Sequence, residues 1–221
     1  MCGRYSLYSD PPILQRRFKF KGDLGIGPRY NIAPTQYILT VTNNGERRGE
    51  LMRWGLIPFW AKDMTISHKM INARAETAAT SGAFKHAFKR RRCLIPTDGF
   101  FEWRKDGRMR FPNYIFLKSR QPFAFAGLWE EWISPTGDPI HSCTILTTKP
   151  NSLIEPIHNR MPVILDQESE ALWLDPMTDN LDTLKRFLIP LPTEHMDCHE
   201  TSSLVNFPKN EGSEIIQPLV A

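Results

Sequence analysis

The chain has 221 residues, 41% of them hydrophobic and 24% charged, with a net charge of +4 at neutral pH. That is apolar material for one sizeable core, and a cationic surplus that suits an anionic partner without requiring one. No apolar stretch approaches the ~18 residues of a membrane helix, and no basic region followed by an apolar run opens the chain, so a soluble cytoplasmic protein is expected, nucleoid-associated in a bacterial source.

The 18 prolines, roughly 8% against a typical ~5%, predict many short elements joined by fixed turns. Asp10 followed by Pro11 marks a helix start leading into Ile13, Leu14 and Phe18, and Ser81 similarly precedes Phe84, Ala87 and Phe88. Residues 37–41 and 51–56 read as strands flanking the turn-rich Asn43-Asn44-Gly45, and residues 99–104 and 110–117 as strands flanking Lys105-Asp106-Gly107. Further β-rich runs cover residues 123–129, 140–147 and 161–165, with helical patterns over 168–174 and 181–188. No repeat, linker or low-complexity tract divides the chain. The predicted class is α+β: a single domain over residues 1–221 with a mostly antiparallel, barrel-like β core flanked by short helices.

Cys2, Cys93, Cys143 and Cys198 are widely spaced without a C-x-x-C, which argues for reduced thiols over a disulfide framework or zinc ribbon. No metal or cofactor is implied. Cys2 is distinctive, because removal of Met1 would leave a thiol and an α-amine on adjacent carbons. With unperturbed pKa values of about 8.5 and about 7.7–8.0, both have reactive fractions near neutrality, and an aldehyde is their natural target. A cysteine here is otherwise unremarkable.

Several other segments carry groups suited to chemistry or binding. In Asp98-Gly99-Phe100-Phe101-Glu102-Trp103, strand alternation turns Glu102 away from Phe101 and Trp103. It is then either a desolvated proton carrier or an edge glutamate facing water. His158 and Arg160 place an imidazole and a guanidinium two residues apart, for proton transfer and phosphate binding or simply as polar surface. Asn72, Arg74 and Glu76 share a face if extended, or begin a helix. Trp54, Phe59 and Trp60, with Arg53 and the segment around Asn31 and Pro34, form either a stacking surface for unpaired bases or core anchors. The basic run 85–92, including Arg90, could track a nucleic-acid backbone or be a solvated helix end.

Taken together, the motifs MCGRY from Met1, YNIAPTQ from Tyr30, RWGLIPFWAKD from Arg53, INARAET from Ile71, CLIPTDGFFEW from Cys93, FAGLWE from Phe125, CTILTT from Cys143 and IHNRMPVIL from Ile157 closely resemble the SRAP (SOS-response-associated peptidase) family across nearly the whole chain. Phe101, Thr97 and Pro150 depart from the residues common there, and none is a chemical group of the site. The resemblance implies an enzyme that captures abasic sites in single-stranded DNA as a thiazolidine on Cys2, with Asn72, Glu102 and His158 as the other catalytic residues. It also implies lyase or self-processing peptidase side activities.

On that basis His158 is expected to protonate the sugar ring oxygen, Glu102 to relay protons at the amine, and Asn72 to position the deoxyribose. Arg4, Arg74 and Arg160 would grip phosphates, and Trp54, Phe59 and Trp60 would wedge between bases. Asn31, Pro34, Arg53, Arg90, Trp103 and Met161 complete the expected DNA contacts of a monomeric protein with no membrane partner. Two other readings remain open: a thiol peptidase using Cys2, His158 and Asn72, and a noncatalytic single-strand binding module.

Overall fold

Two β-rich runs on either side of Asn43-Asn44-Gly45 form the first long hairpin of the computed structural model, which describes residues 2–22 and 24–219. In chain order the elements are β1 (Tyr5–Leu7), α1 (Pro11–Phe18), β2 (Arg29–Ile32), β3 (Tyr37–Asn43), β4 (Arg47–Trp54), β5 (Asn72–Arg74), α2 (Ala75–Ala78), α3 (Lys85–Arg90), β6 (Arg92–Thr97), β7 (Gly99–Asp106), β8 (Met109–Leu117), β9 (Phe123–Ile133), β10 (Pro139–Thr148), β11 (Met161–Pro162), β12 (Ile164–Leu165), α4 (Gln167–Leu174), α5 (Leu181–Arg186) and β13 (Met196–Glu200).

Five of these strands close on themselves. β4, β3, β6 and β9 pair antiparallel in that order, β10 pairs antiparallel with β9, and β10 returns to β4 in parallel at Ser142↔Arg53 and Cys143↔Trp54. Closure removes the sheet edges that would otherwise template aggregation. β5 adds to β10 in parallel, and β11 and β12 cap neighbouring strands. The remaining strands make an antiparallel sheet in the order β13-β8-β7-β1-β2. The α+β class with a barrel-like core is therefore the architecture observed, with parallel pairs at β10 as the departure from an antiparallel plan.

Local sequence accounts for the turns that shape the site. Gly55 has φ +125°, and a Cβ there would lie 2.6 Å from the Ser67 carbonyl oxygen. Only glycine therefore lets the chain turn sharply out of β4. Gly99 sits under the Tyr114 ring, where a Cβ would come within 2.3 Å of the hydroxyl. Asp166 accepts from the Ser169 amide at 2.8 Å and starts α4. The helix predicted from Ser81 instead opens with turns, and its α-helical part begins at Lys85. The hairpin predicted around Lys105-Asp106-Gly107 turns one residue later, since Asp106 already pairs with Met109.

The main apolar cluster runs through barrel and sheet together, from Tyr5 and Phe100 to Trp54, Phe125 and Trp173. A second cluster lies on the outer face of the sheet, where Val205 and Ile215 cover Phe101, Tyr114 and Phe116. β7 is consequently buried on both sides: Phe100 faces the barrel and Phe101 the C-terminal segment. No helix among the described residues is long and apolar enough to cross a membrane.

Candidate active site

Cys2 directly precedes β1, which is locked to β7 by the pairs Tyr5↔Phe100 and Ser6↔Gly99 and by the Phe101 amide donating to the Arg4 carbonyl at 2.9 Å. This register fixes Cys2 within electrostatic range of Glu102. Cys2 is fully buried, its Sγ 4.0 Å from the Arg4 carbonyl oxygen. Burial pushes the thiol far above its ordinary range, and the negative charge of Glu102 adds to the effect. Glu102 is 2% exposed. Desolvation raises its carboxyl to about 7. Of the two readings of Glu102, the desolvated one holds: a protonated thiol stands beside a carboxyl that is half-ionised at neutral pH.

Asn72 reaches the same region from the barrel. β5 sets it opposite Ile145 on β10, and its Nδ2 donates to the Ile71 carbonyl at 2.9 Å, which also accepts Trp54 Nε1 at 2.9 Å. The Trp54 ring packs edge-on against Tyr5, centroids 5.4 Å apart, linking this pair to the strand that follows Cys2. Asn72 Oδ1 is buried and accepts no hydrogen bond among the described residues, an open acceptor of a kind that native interiors rarely leave unused. The segment is extended through Arg74 and helical from Ala75, so both sequence readings hold in part.

His158 ends a turn built by Asn151, whose Oδ1 accepts the Ile154 amide at 3.1 Å. The His158 amide donates to the Ile154 carbonyl at 2.8 Å. Its Nδ1 accepts from the Arg160 amide at 3.1 Å, with the Arg160 carbonyl oxygen 3.2 Å away. Nδ1 thus lies between a backbone donor and a backbone acceptor, and an imidazolium would donate Nδ1–H to the carbonyl. Burial lowers the His158 pKa, the Lys105 charge adds to this, and the Arg160 backbone contact opposes it. Arg160 is anchored to β10 through the Thr147 carbonyl, and Thr147 pairs with Arg74. The segments of Asn72 and His158 are thus joined.

Burial corrects three of the expected nucleic-acid contacts, Trp54, Met161 and Asn31, and the others differ in what they already touch. Trp54 and Met161 are fully buried in the core, so neither offers a face to a base. Asn31 is also fully buried, its Nδ2 donating to the carbonyls of Val205, Phe207 and Asn210 at 3.3, 3.0 and 2.8 Å. Arg4 donates Nη1 to Asn31 Oδ1 at 2.7 Å and to the Val205 carbonyl. Arg53 donates to the Thr35 carbonyl, and Trp103 Nε1 to Asn206 Oδ1 at 2.8 Å. Pro34 is half-buried, while Arg74 and Arg90 are exposed.

Phe59 and Trp60 are exposed, but they lie beside Trp132, which pairs with Ile140 five residues along β10 from the Ile145 that faces Asn72. The C-terminal segment that holds Arg4, Asn31 and Trp103 was missed from sequence, where its mixed polar composition gives no periodic signal.

The chain matches the family model of the SOS response associated peptidase (SRAP) over residues 1–208. It is 48% identical over 223 residues to the abasic site processing protein YoqW of Bacillus subtilis, covering 98% of this chain and 99% of that one. It is 30% identical over 227 residues to the abasic site processing protein YedK of Escherichia coli, covering 99% and 100%. A crystal structure of a protein from Bacteroides thetaiotaomicron superposes with a TM-score of 0.91 at 28% identity, covering 99% of this chain and 100% of that one. Motifs, architecture and these similarities agree: the chain belongs to the SOS response associated peptidase (SRAP) family.

Proposed function

We propose that this protein processes abasic sites in single-stranded DNA as a monomer, capturing the ring-opened sugar on Cys2 as a thiazolidine once Met1 has been removed. Met1 itself lies outside the described residues. The observation that carries this reading is the buried pair of Cys2 and Glu102, with a carboxyl raised to about 7, in a chain similar to proteins named for abasic site processing.

The chemistry follows from the groups available. His158 in its imidazolium form gives the Nε2 proton to the sugar ring oxygen as the C1′–O bond breaks, and the neutral ring then takes the C1′ hydroxyl proton, opening the hemiacetal to the C1′ aldehyde with no net change at the ring. The freed Cys2 amine attacks C1′ to give a carbinolamine. Ionised Glu102 takes the proton released at nitrogen and, now protonated, returns it to the departing hydroxyl, so that one water leaves and an imine forms. The Cys2 S–H then adds across the C=N bond, sulfur to carbon and proton to nitrogen, closing the ring. Aldehyde and aminothiol become thiazolidine and water, with no oxidant required. Asn72 Oδ1, with its acceptor capacity open, takes a sugar hydroxyl proton and holds the deoxyribose. β-Elimination from the imine competes as lyase chemistry.

A thiolate-first peptidase is less well supported, because burial and Glu102 both keep the Cys2 thiol protonated. The test is intact mass before and after incubation with a single-stranded oligonucleotide carrying one abasic site. A species without Met1 that gains the oligonucleotide and survives heating is expected. Protein that lacks Met1 yet remains free of DNA refutes covalent capture.

A further inference from the structure

Glu76 has no part in the chemistry at Cys2, yet a chain of short contacts runs from its carboxylate to the His158 ring. It is the second residue of α2, which directly follows the strand that carries Asn72. Both carboxylate oxygens accept from Arg160, Oε1 from Nη1 at 2.7 Å and Oε2 from Nη2 at 2.9 Å. Nη2 also meets Thr147 on β10, at the backbone carbonyl and, at 3.4 Å, at the side-chain hydroxyl. The planar fork of donors is therefore held from two sides in one orientation.

The Arg160 backbone is what faces His158. Residues 158–160 belong to no helix or strand, and β11 begins only at Met161, paired with Thr148. The Arg160 amide donates to His158 Nδ1 at 3.1 Å, and the Arg160 carbonyl oxygen lies 3.2 Å from the same nitrogen. One residue thus offers Nδ1 both a donor and an acceptor, which holds the ring in either charge state. With Nδ1 held, the direction of Nε2 is fixed.

The clamp also joins the two segments that must meet one sugar. Asn72 lies four residues before Glu76, and His158 two before Arg160. With Glu76 53% and Arg160 17% exposed, solvent screening keeps the pair a weak source of stability. Screening leaves the two-point geometry, and with it the aim of the ring, in place.

We propose that Glu76 is a positioning residue for opening of the sugar ring: acting through Arg160, it keeps His158 Nε2 aimed at the sugar and sets the separation between His158 and Asn72. The proposal rests on the abasic-site reading above and deepens it, because it assigns a residue to the step that precedes attack by the amine.

The experiment uses Glu76→Gln, which keeps the side chain's size and one acceptor but loses the two-point fit to Arg160. Single-turnover capture is measured on two single strands, one with an abasic site, whose sugar is closed, and one in which an open-chain aldehyde replaces that sugar. On the first strand the variant is expected to be about tenfold slower, part of the roughly 10²–10⁴-fold that a placed acid–base group contributes. On the second its rate is expected to equal the parent's, because no ring has to open. In the DNA-free protein, the ¹⁵N chemical shifts of the His158 ring are expected to move with the same substitution.

Arg160→Lys, which also loses the fork, is expected to give the same ratio between the two strands, and Glu76→Gln added to it no further change, the mark of one shared path. Equal slowing on both strands would overturn the proposal by reducing Glu76 to a structural role. Faster capture would overturn it by making Glu76 a competitor of phosphate for Arg160. Parent protein that captures neither strand refutes the abasic-site reading itself, whereas parent that captures both, with the variant unchanged on both, refutes this proposal alone.

Discussion

Arg160 closes a two-point clamp on Glu76, with Nη1 2.7 Å from Oε1 and Nη2 2.9 Å from Oε2, while also donating to the Thr147 carbonyl. Three segments distant in sequence meet at one planar cation, whose fork geometry suits the carboxylate. The guanidinium expected to grip a phosphate is therefore already occupied, and its first consequence is for stability.

Donation from Arg160 holds the Glu76 carboxyl below its ordinary range. A depressed carboxylate stabilises the fold above its unfolded pKa of about 4.3, and that contribution disappears as pH falls through the lower folded value. Glu76 is half-exposed, so screening limits the effect of Glu76→Gln at pH 7 to about 0.5–1 kcal/mol. Urea denaturation at neutral and acid pH should show the gap between parent and variant closing in acid. A gap independent of pH would mean that the pair acts through shape and hydrogen bonding rather than charge.

Glu102 has the opposite sign. Its folded value of about 7 lies above the unfolded ~4.3, so between those values the folded state binds more protons and stability falls as pH rises, levelling off above about 7. Glu102→Gln should remove this slope and stabilise the protein at pH 8 by on the order of 3–4 kcal/mol. The same substitution should abolish the rise in capture rate through about pH 7 that the ionised carboxylate produces in the parent. Stopped-time crosslinking across pH reads the second effect, and an unchanged profile would remove Glu102 from proton transfer.

Trp54 separates a core anchor from a DNA wedge. Trp54→Ala should cost about 3–5 kcal/mol in chemical denaturation, the range for truncating a large buried aromatic. Trp54→Phe should cost less while losing the Nε1 bond to the Ile71 carbonyl. Single-strand affinity of the folded fraction should be unaffected by the milder variant. A selective loss of affinity with normal stability would contradict the burial.

Asn31 ties the C-terminal segment to β2 through three carbonyls and holds Arg4 on its Oδ1. Asn31→Ala removes the amide donor from all three carbonyls, of which Val205 keeps Arg4 and Phe207 keeps the Asn210 amide, at a cost of about 1–2 kcal/mol. The loss should be local: faster amide exchange and protease nicking over residues 203–217, with the barrel protected. Uniform loosening of the whole chain would show that the segment is integral to the core rather than strapped onto it.

Much of the architecture was readable because it rests on short-range pattern. The hairpins β3–β4 and β7–β8 follow from β-rich runs on either side of Asn-Gly and Asp-Gly turns, and α4 and α5 from helical patterns. β1, β2 and β13, with three to five residues each, are too short for a period to register. Their formation depends on neighbours already in place.

Family membership was legible in the residues alone, through motifs spread along nearly the whole chain, and so were the identities of the chemical groups, since a thiol at position 2, an amide, a carboxyl and an imidazole are properties of residues. Their states were set by tertiary packing. Whether Glu102 faced water or protein, whether Trp54 was core or wedge, and whether Arg4 and Arg160 were unengaged depended on what long-range pairing packs against them. Desolvation, which moves the carboxyl to about 7, and barrel closure through the parallel β10–β4 pairing both arise from contacts between segments with no local signature of each other.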